Sequence, residues 1–147
     1  MKFAWRIVGL LVGAVFVFAG LTKIIDLQPV RFVDPMDFAR DIDNYKILPW
    51  TISVWLAFYL PWLEIICGIA LIFRRLYSGA LALVLALMLV FIGGSIAAKA
   101  RGIDITCGCF GHVSDHLSFV WHMALDFAIL GAVVVLWYKR PNDRLIA

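Results

Sequence analysis

The chain has 147 residues, 64% of them hydrophobic, and a formal charge of only +3. So much apolar content is foreign to a soluble domain and reads as one integral membrane domain over residues 1–147. There is no long basic run and no nucleic-acid motif, so nothing supports a polyanion partner, and three cysteines are too few for a disulfide scaffold.

In chain order, four apolar runs reach spanning length, at about 3–25, 50–73, 77–98 and 117–138. Backbone groups in lipid must be paired internally, so such runs are helices or barrel strands. Unbroken apolarity, rather than alternation, selects helices. The predicted fold is all-α, an integral membrane four-helix bundle with membrane lipid around it. The first run also carries a signal-peptide pattern, with Lys2 and Arg6 before it and Val17-Phe18-Ala19 as a passable cleavage site. We read it as a retained span.

The connection after the first run, about 26–49, contains Asp34-Pro35, a helix-start signal. Met36 to Lys46 reads as a short amphipathic helix, with Phe38, Ile42 and Tyr45 on one face. It would lie in the interface, fold over the mouth of the helices, or serve as a solvated connector.

The second run raises a question of burial. Glu64 follows Pro61 by about one turn inside a span, where an ionisable group is costly and faces a protein interior or a wet cavity. Lys23, near the end of the first run, is its expected partner. The pair either locks the first two spans together or passes protons to a reacting thiol or a bound quinone; the structural role is preferred. Cys67, one turn from Glu64, reads as a packing residue. Pro61 is expected to kink its helix.

Arg74 and Arg75 join the second and third runs. With Lys2 and Arg6 before the first run, and Lys139, Arg140 and Arg144 after the fourth, they form dense positive clusters. The opposite loops carry Lys23, Arg31, Arg40, Lys46, Lys99 and Arg101, spread over more residues. Density places both termini in the cytoplasm and the other loops outside. Gly93-Gly94-Ser95 in the third run allows close helix contact.

The segment between the third and fourth runs carries Cys107-Gly108-Cys109-Phe110-Gly111. Thiols at i and i+2 bridge only if the chain bends, and Gly108 permits the bend. The small ring would be strained, hence oxidising and labile, and would close almost no loop. That suits a bond made and broken in turnover. Lys99, Arg101 and His112 would favour the attacking thiolate. Cys107, Cys109, His112 and His116 also form a donor set for zinc or copper, although their spacing is unusual for structural zinc. A non-catalytic scaffold is the third reading. In the fourth run, His122 and Asp126 lie four apart and read as a polar helix–helix contact. Trp5, Trp50, Trp121 and Trp137 near the ends read as interfacial anchors.

Gly20-Leu21-Thr22-Lys23, Tyr45-x-x-Leu48-Pro49, Leu60-Pro61-x-x-Glu64-x-x-x-Gly68, Arg101-Gly102 and Cys107 to Gly111 occur in that order across nearly the whole chain. Together they resemble the MauE branch of the DoxX-like membrane proteins. The resemblance implies a four-helix protein of the bacterial inner membrane. It also implies thiol–disulfide exchange at Cys107 and Cys109 with a periplasmic thioredoxin-like partner, during maturation of disulfide-containing periplasmic proteins. The family's name-giving member assists maturation of methylamine dehydrogenase. Lys23 and Glu64 match family positions, and Cys67 lies outside the pattern. A quinone in the bilayer is the candidate acceptor if the pair acts as an oxidase.

Overall fold

A computed structural model describes residues 2–27, 30–74, 76–102 and 119–139. The long helices are α1 (Lys2–Ile24), α3 (Trp50–Phe73), α4 (Tyr77–Ala100) and α5 (Phe119–Lys139), with α2 (Pro35–Asn44) the short helix of the first connection. Among the described residues, three helices are long and apolar enough to cross a membrane: Ala4–Ile24, Trp50–Phe73 and Tyr77–Ala100. At about 1.5 Å per residue, a helix of that length matches a hydrocarbon core of about 30 Å.

The outside of these helices is as apolar as the inside. Leu11, Ile66, Val90 and Phe127 are all more than half exposed, as expected of side chains that face acyl chains rather than water. The interior is a continuous apolar cluster. Val12 and Phe16 of α1 meet Leu71 of α3, Leu81, Val84 and Met88 of α4, and Val133 and Leu136 of α5. α1 packs on α3 and α5, and α4 packs on α3 and α5.

The first connection holds more structure than the sequence reading assigned. β1 (Ile25–Leu27) and β2 (Val30–Phe32) pair antiparallel, with Ile25 opposite Phe32 and Leu27 opposite Val30. Val33 then donates its amide to Ile24 at 2.9 Å, which fixes the direction in which the chain leaves α1.

α2 starts as its sequence predicts. Asp34 accepts a hydrogen bond from the Met36 amide at 2.9 Å, and Pro35 takes the first turn, where its missing N–H is not needed. Its apolar face turns inward: Phe38 and Ala39 are buried against Ala57 of α3. Of the arrangements open to this helix, the one observed is packing over the spans. α3 runs through Pro61 as one continuous helix.

Candidate functional site

α1 and α3 approach so closely because glycine removes side chains along their seam. A Cβ on Gly13 would sit 2.7 Å from the Gly68 carbonyl oxygen, and a Cβ on Gly68 would sit 2.6 Å from that of Gly13. One helical repeat along, a Cβ on Gly20 would sit 2.6 Å from the Pro61 carbonyl oxygen. Pairing 13 with 68 and 20 with 61 makes the helices antiparallel. Lys23, three residues after Gly20, and Glu64, three residues after Pro61, step away from that contact in opposite directions. The Glu64 Cβ lies 3.3 Å from a Cβ placed on Gly20, and the long lysine side chain reaches back along the seam to the carboxylate.

Lys23 Nζ therefore donates to both Glu64 carboxylate oxygens, at 2.8 Å to Oε1 and 2.7 Å to Oε2. Both residues are buried, at 4% and 1% exposure. A charge pair in such a place persists only with good geometry and further polar contacts. Lys23 has one in the Ala19 carbonyl at 3.5 Å, and the Phe38 and Phe91 rings lie 5.8 and 5.6 Å from the ammonium. Both rings are within cation–π range. Phe38 comes from α2, so the short helix covers the ion pair.

Asp126 of α5 is buried to the same degree as Glu64. Both residues line a cavity of about 20 Å³ together with Phe16, Ala19, Met88 and Phe91. That is room for one water molecule, and two carboxylate-bearing residues give it partners. The polar helix–helix contact expected of this part of α5 is met at Asp126, which shares the cavity with residues of α1, α3 and α4. The His122 side chain lies outside the described residues. Cys67 is a free, buried thiol within the apolar core, as a packing residue would be.

The C-terminal end of α4 is tied down. Arg101 Nη1 donates to the Lys46 carbonyl at 3.0 Å, and Lys46 adopts a left-handed conformation with φ of 52°. At the opposite end, Arg6 and Arg74 line one crevice with Trp5 and Tyr77, so the first two positive clusters share an end. Lys23 is not among the exposed charges: it is neutralised inside.

Cys107, Gly108, Cys109, Phe110, Gly111, His112 and His116 lie outside the described residues. Among the described residues, no group of three or more His, Cys, Asp or Glu could hold a metal ion.

Several apolar spanning helices with a charged pair sealed between them define an integral, multi-pass membrane protein. Residues 1–139 match the family described as methylamine utilisation protein MauE, and the chain belongs to that family. It is 36% identical over 74 residues to methylamine utilization protein MauE of Methylophilus methylotrophus; the alignment covers 50% of this chain and 39% of that relative. No solved structure matches.

Proposed function

We propose that the chain is a four-span protein of the bacterial inner membrane, with cytoplasmic termini, whose periplasmic Cys107–Cys109 pair exchanges electrons with a thioredoxin-like protein. The exchange serves maturation of disulfide-containing periplasmic proteins, in keeping with the methylamine-utilisation name of the family. α5 supplies the fourth span, being a 21-residue helix with one acidic residue, Asp126, before its closing Lys139.

The observation that carries this reading is the Cys107-Gly108-Cys109 pair in a segment that α4 enters from its Arg101 end, the end tied to Lys46 beside α2. In the exchange, a thiolate attacks one sulfur of a disulfide and forms a mixed disulfide. The second thiol of the attacking pair then resolves it. One pair loses two electrons and two protons and becomes a disulfide; the other gains them and becomes a dithiol. Arg101 and His112 would favour the thiolate, Gly108 and Gly111 would let the segment bend, and Phe110 follows Cys109 in the sequence. Lys23 and Glu64 tie α1 to α3, the helices against which α4 and α5 pack.

The test is to trap partners with Cys107→Ser and Cys109→Ser variants and identify mixed disulfides by mass spectrometry. One of the two should accumulate a covalent adduct with a periplasmic dithiol protein, and a membrane-impermeant thiol reagent should label the remaining cysteine from outside. Absence of adducts in both variants, or full function in the double Cys→Ser protein, overturns the proposal. Equal loss of function in His116→Ala and Cys109→Ser, with metal in the purified protein, would place the chain among metal-handling proteins instead.

A further inference from the structure

α2, α3 and α4 enclose a groove that the ion pair and the cysteine pair leave unused. Its volume is about 470 Å³, within the range of roughly 300–1,000 Å³ typical of small-molecule sites. Phe38, Ile42 and Tyr45 line it from α2, Leu60 from α3, and Phe91 and Gly94 from α4. Asp41 and Tyr45 are the only lining residues with polar side-chain atoms among the described residues. Leu89 and Val90, which also line it, are 56% and 69% exposed on the outer side of a spanning helix, so the groove opens toward lipid. Its occupant is therefore a molecule that dissolves in the bilayer.

Two placements narrow the class. First, the lining includes Phe38 and Phe91, the same rings that flank the Lys23 ammonium. Flat aromatic walls favour a planar ring over a flexible chain. Second, the outer end adjoins the start of the cysteine segment. Ala97 lines the groove one turn before Arg101, and Arg101 is held by Lys46, whose neighbours Tyr45 and Ile47 also line it.

We propose that this groove binds an isoprenoid quinone, with the ring between the aromatic walls and the tail leaving past Leu89 and Val90. The proposal rests on the thiol–disulfide reading above and names its electron acceptor. The Cys107–Cys109 dithiol loses two electrons and two protons and becomes a disulfide. The quinone takes up both electrons and both protons and becomes a quinol.

Gly93 offers a way to close the site. It lies on the groove lining, and a Cβ there would meet nothing within 4 Å, so Gly93→Leu fills open space without forcing the helices apart. Gly131 of α5 has the same freedom away from the groove and serves as the control.

The full chain in lipid nanodiscs is photolabelled with an azidoquinone in the presence and absence of decylubiquinone. The same samples are assayed for exchange with a dithiol peptide and for reduction of decylubiquinone by that peptide. Label is expected on 38–48 and 89–97, competed by decylubiquinone and lowered about tenfold in Gly93→Leu, a loss of about 1.4 kcal/mol in binding. Gly131→Leu should label like the parent. Gly93→Leu should keep peptide exchange and lose quinone reduction. Label elsewhere, label without competition, or recovery of phospholipid alone from the groove overturns the quinone site. Failure of exchange in the parent protein would sink the redox reading instead, whatever the labelling shows.

Discussion

The seam between α1 and α3 and the groove between α2, α3 and α4 both depend on glycine, to opposite ends. Gly13, Gly20 and Gly68 let two backbones touch, and any Cβ there meets a carbonyl oxygen at 2.6–2.7 Å. Gly93 faces open space and Gly94 faces only the Tyr45 ring at 3.7 Å. Glycine brings a charged pair together in the seam, whereas in the groove it leaves a volume unfilled. The residue type alone does not tell these uses apart; what lies opposite does.

The sharpest way to break the seam is to strip one charge from it. Glu64→Ala leaves the Lys23 ammonium buried without its carboxylate, which should cost about 3–5 kcal/mol. Unfolding in detergent followed by circular dichroism checks this, and Lys23→Met combined with Glu64→Leu should recover most of the loss. A structural pair predicts that the double variant still exchanges thiols. A proton-passing pair predicts a stable protein that does not.

The comparison itself is tested by the same substitution at two places. Gly20→Ala should destabilise by about 1–3 kcal/mol, since backbone must shift to admit the methyl group. Gly93→Ala should be neutral or gain up to about 1 kcal/mol from helix propensity. Equal effects at the two positions in thermal unfolding would dissolve the distinction.

The smallest effect is expected at the helix that covers both regions. Asp34→Ala removes the cap that starts α2 and should cost about 1 kcal/mol. Faster hydrogen exchange confined to 35–44 would register it.

Much of this architecture was legible in the sequence because its elements announce themselves locally. The run at 50–73 coincides with α3, and those at 3–25 and 77–98 differ from α1 and α4 by only a residue or two at their ends. Asp34-Pro35 marked the start of α2 through capping chemistry that acts within one turn. The hairpin was missed, although Ile25-Asp26-Leu27 and Val30-Arg31-Phe32 each alternate apolar and polar residues. Three residues are too few for periodicity to stand out beside a long apolar helix. Lys23 and Glu64 were expected to meet but sat at different apparent depths when each helix was measured alone. Contact of Gly20 with Pro61 sets the relative height of the two helices, and that contact is a property of the pair. Asp126 was legible as a polar residue at a helix–helix contact, but its sharing a cavity with Glu64 depends on how the helices pack.

The ion pair has a consequence for how the chain enters its membrane. Forty-one positions separate Lys23 from Glu64. At about 5–20 residues per second, a ribosome makes that stretch in a few seconds. Throughout that interval the first helix carries an uncompensated ammonium near one end, where a lone cation resists burial in lipid. Arrival of the second long helix supplies both the counter-charge and the backbone at Pro61 and Gly68 on which the glycines of the first can rest. Residues 2–73 are thus the natural unit of insertion, settling together as one hairpin before α4 and α5 are added.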